Sequence, residues 1–263
     1  MNPVLRIFSY LPNPRVWKSV ITANISGVEI ELIGDKPKNL SSWLWDYDAR
    51  EMNPEELAED SPHLRKGKRG FSGALYKTDS FLISHPFGTV PAAFSPEGKV
   101  GVFESNSIMR SIARSGNHNS LYGRNGFDAS RIDSFLDANL IFSREAQVYL
   151  LEIEDLNSTK YERMHSSYNF YMSGIEASLN NGAFIAGEDL SLADISFVCD
   201  VSQFLREGHY EDSIRIQGFD LITNKFMEEY PVAAKHLLKL SNTEDFLSVM
   251  GSYLDWFKKK IKN

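Results

Sequence analysis

The stretch HPFGTVPAAFSPEGKVGVFESNSIMRSIAR, residues 85–114, decides the fold. It reads as a short strand entered through Val90 and Pro91, a turn around Pro96, Glu97 and Gly98, a second short strand, and a helix opening at Ser105. The strands PAAFSP (91–96) and KVGVFE (99–104) are close enough in sequence to pair as a hairpin. Ser105 is placed to N-cap the helix, so that its hydroxyl and the free backbone N–H groups behind it make an anion site. Glu104 sets a carboxylate beside those donors. The ligand that suits both offers an α-carboxylate to the helix end and an ammonium to Glu104, as the head of a free α-amino acid does.

Upstream, LRIFSYL (5–11) is apolar and β-prone, and PNPRVWKSVITANISG (12–27) reads as a helix opened by proline and closed by Gly27. VEIELI (28–33) follows as a second strand. A β-α-β order implies a parallel pair with a crossover helix, and the hairpin and helix of 85–114 complete a β-α-β-β-α order. Such an order is that of a thioredoxin-like domain, expected over residues 1–115 with an insertion at about 35–84.

From residue 128 onward strand signals vanish. Ile132, Phe135, Leu136, Asn139 and Leu140 recur at three- and four-residue spacing, and further helices are expected near 159–180, 191–206 and 220–241, with a last one in DWFKKKIKN (255–263). The second half, 128–263, is therefore expected to be all-α, joined to the first by a polar, glycine-rich linker over 116–127. Within it, FIAGEDLSLADISF (184–197) carries Ser191 three residues before Asp194, a capping-box spacing ahead of an apolar helix, and reads as structural.

Composition narrows the function classes. The 263 residues are 42% hydrophobic and 24% charged, without an apolar run near the roughly 18 residues of a membrane helix. MNPVLRIFSY lacks the basic flank and apolar core of a secretory signal. A single cysteine, Cys199, is compatible with a reducing compartment, so a cytoplasmic protein is expected, and its mid-helix setting suggests a core thiol. The net charge of −7 argues against nonspecific nucleic-acid binding. The six histidines, His63, His85, His118, His165, His209 and His236, show no metal-ligating spacing, so no metal is expected. GFSGA (70–74) has the spacing of a nucleophile elbow but follows a basic loop where a buried strand would be needed.

Taken together, VPAAF, ESNSI and AGEDLSLADIS resemble the glutathione transferase superfamily over nearly the whole chain. YLPNPRVWKSVITANISGVEIEL, KVGVFESNSI and AFIAGEDLSLADISFVC resemble the branch of it found as the transferase-like domain of translation elongation factor 1B gamma. The resemblance implies that Pro91 is cis and that the Val90 N–H and C=O pair with the cysteinyl backbone of glutathione. It likewise implies that Glu104 and Ser105 hold the γ-glutamyl head.

It also implies a thiol activator near the end of the first strand, where this sequence offers Ser9, Asn13 and Tyr10, taken in that order. A free thiol has a pKa of about 8.5, so lowering it two units takes roughly 2.7 kcal/mol of preferential thiolate stabilisation. A hydroxyl or amide donor near a helix N-terminus is the kind of group that supplies it. The alternative is that Ser9 and Tyr10 simply alternate across a strand.

The insertion departs from the family and exceeds the about 12–15 residues of an unstructured loop. It contains Trp43, Trp45 and Tyr47, read either as packing or as a binding platform, and Arg65, Lys66, Lys68 and Arg69, read either as a clamp for an acidic group or as a solvated face. GFSGALYKTDSFLI (70–83) reads as an extra hairpin or an extended lid.

These readings lead to a glutathione transferase in which the bound thiolate attacks a small hydrophobic electrophile, ether-cleaving thiolysis included. Phe142, Tyr149 and Trp256 are the expected substrate-pocket residues, and a homodimer is expected from the family. The alternative is a non-catalytic interaction module of the elongation-factor kind. That the sequence stops at Asn263, just after the helical half, is expected of a free-standing enzyme.

Overall fold

Side-chain alternation along LRIFSY builds the first sheet: Leu5 and Ile7 are buried on one face and Phe8 on the other, as a strand period of two requires. In the computed structural model, which describes residues 3–67, 71, 73–118 and 120–260, this strand is β1 (Leu5–Tyr10). It is followed by α1 (Pro14–Ser26) and β2 (Ile30–Asp35), two residues later than the expected 28–33. Gly27 ends α1 in the left-handed conformation, φ 66°, and its N–H caps the Ala23 and Asn24 carbonyls.

The insertion then supplies β3 (Trp43–Trp45), β4 (Arg50–Glu51), β5 (Leu64–Lys66), β6 (Ala74–Lys77) and α2 (Asp79–Ser84) before β7 (Ala92–Phe94), β8 (Gly101–Phe103) and α3 (Ser105–Ser115) close the unit. The principal sheet runs β2-β1-β7-β8, with β1 and β2 parallel and the other pairs antiparallel. The second, β4-β3-β6-β5, is made wholly by the insertion.

The two faces of the principal sheet have different partners. Leu5, Ile7 and Ala93 pack with Ala23 of α1 and with Ile108 and Ile112 of α3. Phe8, Ala92 and Phe94 pack with Leu40, Trp45, Leu75 and Phe81 from the insertion. Trp45 is 1% exposed, its indole N–H donates to the Leu40 carbonyl at 2.9 Å, and its ring meets Phe8, Phe71 and Phe81 edge-on at 5.3 to 6.1 Å. Trp45 is therefore part of the core that covers the sheet.

The segment 70–83 supplies one arm of an extra hairpin: its strand β6 pairs antiparallel with β5, Leu64 opposite Tyr76 and Lys66 opposite Ala74. Among the described residues that follow, the Thr78 hydroxyl accepts the Phe81 N–H and caps α2, with Asp79 in its first turn, so the rest is a helix and not an extended lid. Arg65 is held by Asp79 at 2.9 Å and by the Pro62 and Leu64 carbonyls, while Lys66 is exposed. Lys68, Arg69 and Ser72 lie outside the described residues.

The chain divides into two units, Met1–Asn117 and His118–Asn263. In the second, α4 (Gly126–Leu151), α5 (Ser158–Leu179) and α6 (Leu192–Phe204) are followed by α7 (Glu211–Ile216), α8 (Phe226–Glu229), α9 (Pro231–Leu240), α10 (Glu244–Met250) and α11 (Asp255–Lys260). The single helix expected over 220–241 is instead two, because Pro231 has no N–H to continue α8 and begins α9 at its first position. Helix α6 is buried along nearly its whole length, Cys199 included.

The capping box is formed at the start of α6. Asp194 accepts from the Ser191 N–H and hydroxyl at 2.9 and 2.8 Å, and from the Ile185 N–H at 3.0 Å, and lies 2.8 Å from the His236 Nε2. One buried carboxylate thus ties the approach to α6, the loop before it and α9 together.

His85 is a buried group whose titration bears on stability. It is 1% exposed, stacked between Phe81 and Phe103 at 5.7 and 4.8 Å, and neither ring nitrogen has a partner among the described residues. Burial, reinforced by the nearby Lys77 charge, pulls its pKa from 6.5 down to about 4. The unfolded chain therefore binds the proton first, and stability is complete above about pH 6.5 and is lost as pH falls towards 4, by roughly 3 kcal/mol. In urea unfolding followed between pH 7 and 4, His85→Phe is expected to flatten this part of the stability profile.

Candidate functional site

The hairpin of the principal sheet fixes the geometry of the site. Ala92 pairs with Phe103, so continuing that antiparallel register outward sets Pro91 beside Glu104 and Val90 beside Ser105. The Val90–Pro91 bond is cis, as the resemblance implies. Among the described residues the Val90 N–H and C=O have no hydrogen-bond partner, which leaves a donor and an acceptor for an extended chain laid along them.

Glu104 turns the chain from β8 into α3 in one residue. It does so at φ 64° and ψ 127°, the only positive φ among the described non-glycine residues, at a cost of order 1–3 kcal/mol. The N-cap is thus Glu104 and not Ser105: the Glu104 carbonyl accepts from the Ser107 and Ile108 N–H groups at 2.9 and 3.0 Å, and Ser105 is the first helical residue. The reason is the backbone, since the reversal at Glu104 completes the turn before Ser105 is reached. The Ser105 N–H remains unpaired among the described residues, which leaves a backbone donor at the first position of α3. The Glu104 side chain is exposed beside it.

Beneath this turn lies a group the sequence reading missed. Lys18, on α1, is 1% exposed, and its Nζ donates to Ser105 Oγ at 3.3 Å and to Asn106 Oδ1 at 2.9 Å. Its only signal in the sequence is a lysine among the buried positions Val16, Trp17, Ile21 and Thr22 of α1.

The three expected activators are brought together but not presented alike. The Asn13 carbonyl oxygen Oδ1 accepts the Arg15 N–H at 3.0 Å as the N-cap of α1, and its Nδ2 donates to Ser9 Oγ at 3.1 Å. Ser9 and Asn13 are 0% and 1% exposed and form one enclosed pair that joins β1 to α1. Gly34, at φ 153°, lies directly against that strand: a Cβ there would fall 1.7 Å from the Ser9 carbonyl oxygen. Tyr10, on the opposite face, is half-buried and packs at the edge of the aromatic cluster of the insertion.

The expected pocket residues lie elsewhere. Phe142 and Tyr149 are core side chains of the second unit, 0% and 2% exposed. Phe142 stacks on Tyr171 at 4.8 Å, and the Tyr149 hydroxyl donates to the buried Glu207 at 2.8 Å. Their positions, buried by the α4 periodicity, pack that unit and present neither side chain at the surface. Trp256 is half-buried against His209, ring centres 4.4 Å apart. The open groove of this unit, about 770 Å³, lies between α4 and α5 and is lined by Phe135, Ala138, Phe170 and Gly174 among others.

Solved structures decide the fold. A glutathione S-transferase from Methylobacillus flagellatus, crystallised with glutathione bound, superposes with a TM-score of 0.63 over 93% of this chain and 98% of its own, at 14% identity. The transferase URE2P6 from Phanerochaete chrysosporium, in complex with oxidised glutathione, gives 0.64 over 96% and 97%, at 16% identity.

The chain has the glutathione S-transferase fold.

Among curated sequences, this glutathione S-transferase fold is 27% identical over 187 residues to a probable elongation factor 1-gamma 1 from Arabidopsis thaliana, covering 68% of the chain and 41% of that protein. It is 23% identical over 204 residues to a glutathione S-transferase-like protein from Fusarium, covering 74% and 75%. The chain spans less than half the length of the elongation factor 1-gamma relatives it matches. No family model matches it.

Among the described residues no helix is long and apolar enough to cross a membrane, and no group of three acidic, histidine or cysteine side chains is placed to hold a metal ion.

Glycine adopts positive φ freely, so Glu104→Gly should relieve the turn and raise stability by about 1 kcal/mol in urea unfolding, while removing the carboxylate beside the helix end. Unchanged or lower stability would contradict the strain assigned to Glu104.

Proposed function

We propose that the first unit binds glutathione and that the protein uses it as a thiolate against a hydrophobic electrophile. The observation that carries the reading is the alignment, by one β-hairpin register, of two unpaired features: the backbone of Val90 and the Ser105 N–H with Glu104 beside it. An extended tripeptide with a zwitterionic γ-glutamyl head matches both, its cysteinyl backbone on Val90, its α-carboxylate on the α3 end and its ammonium on Glu104. The two glutathione-bound neighbours of the same fold add support.

Thiol activation falls to Tyr10 in this reading. Ser9 and Asn13 are enclosed and spend their bonds on each other and on the α1 cap, whereas the Tyr10 side chain reaches the surface of the same unit. Calorimetric titration should show glutathione binding, and thiolate absorbance should place the bound thiol below its free pKa of about 8.5. Tyr10→Phe is expected to raise that pKa by about one unit, a tenfold loss of thiolate, with Ser9→Ala and Asn13→Ala acting mainly on stability. Binding with an unshifted thiol would favour the second reading.

That second reading is a non-catalytic interaction module. The elongation factor 1-gamma relatives favour it, as does the closed Ser9–Asn13 pair.

Either reading accommodates a homodimer. Along α4 the exposed Phe127, Ile141 and Val148 stand fourteen and seven residues apart, on one face of the helix, and the 73% exposed Phe170 of α5 stands beside the groove between these helices. This apolar face, broken by the small side chains of Ala138 and Gly174, suits a second copy of the chain. Sedimentation equilibrium should give the mass of two chains, and Phe170→Asp the mass of one.

A further inference from the structure

We propose that Lys18 is a positioning residue for the γ-glutamyl end of the glutathione site: by donating to Ser105 Oγ, its ammonium makes that hydroxyl an outward hydrogen-bond donor reserved for the ligand's α-carboxylate. The inference rests on the glutathione reading above and adds to it a residue that does not itself touch the ligand.

An ammonium has three donors and no acceptor, so Lys18 donates to Ser105 Oγ and to Asn106 Oδ1. Ser105 Oγ must therefore accept, and its single proton has to go to another atom. Among the described residues no group takes that proton, although the side chain is only 6% exposed. A buried donor without an acceptor is costly unless a ligand completes it. The Ser105 backbone N–H, unpaired at the same first position of α3, provides a second donor for the same anion.

The choice of a lysine has chemical content. A serine or asparagine in its place could reverse the bond and leave the Ser105 hydroxyl as an acceptor, which would receive the ligand's ammonium as readily as its carboxylate. Lysine forbids that reversal. The site thereby separates the two charges of the ligand head: carboxylate towards Ser105, ammonium towards Glu104. The bond to Asn106 fixes the next residue of the same turn, so the direction of the Ser105 donors is held from below by α1.

The test uses calorimetry with three ligands: glutathione, 4-aminobutyryl-cysteinylglycine, which lacks the α-carboxylate, and glutaryl-cysteinylglycine, which lacks the amine. Lys18→Met should weaken glutathione and the glutaryl ligand about tenfold or more, and the 4-aminobutyryl ligand less than about threefold. Lys18→Met combined with Ser105→Ala should be no weaker than Ser105→Ala alone within about twofold, because both act through one hydroxyl. Equal weakening of all three ligands, or additive losses in the double variant, would overturn the role of Lys18 while leaving glutathione binding intact. Absence of glutathione binding by the unaltered protein would instead overturn the functional reading, and this inference with it. Should Lys18→Met fail to fold, the wild-type Lys18 ¹⁵Nζ resonance gives the same answer: it should shift with glutathione and the glutaryl ligand only, and a shift with all three or with none contradicts the proposal.

Discussion

The reversal at Glu104 is the constraint on which the site depends. One residue at φ 64° takes the chain out of β8 and into α3, leaving no room for a capping side chain. The β7–β8 pairing sets where that reversal occurs, and α1, through Lys18, holds the first turn of the helix from beneath. Strain and unpaired backbone are each unfavourable in the isolated fold, and they converge on one helix end. Such convergence is expected where a ligand supplies what the protein leaves unsatisfied.

The insertion shows how the fold tolerates departure at a position where core is required. One face of the principal sheet is covered by α1 and α3, and the other by a small sheet that contributes Trp45, Leu75 and Phe81. Trp45 and Phe81 bury their rings fully there. The same layer encloses His85, whose ring stacks between Phe81 of the insertion and Phe103 of the sheet.

Much of this was legible in the sequence. Proline at the start of α1, Gly27 at its end, the Ser191 and Asp194 pair and the three- and four-residue spacing of α4 are local signals, and local signals survive folding. The pairing of 91–96 with 99–104 as a hairpin was legible for the same reason. The cap was misplaced by one residue because a positive φ at a glutamate has no composition cue. Lys18 was missed because its burial depends on a partner 87 positions away. Phe142 and Tyr149 were misread since a helix periodicity gives which positions are buried but not whether a cavity adjoins them.

The central claim is that Val90, Glu104 and Ser105 together hold glutathione. The most direct measurement is an amide-resolved NMR titration of the ¹⁵N-labelled protein with reduced glutathione. The account predicts that the Val90 and Ser105 amide resonances shift together, saturably and with one dissociation constant, ahead of resonances elsewhere in the first unit. No perturbation of either amide at millimolar glutathione would contradict it, as would shifts confined to residues outside the hairpin and the start of α3.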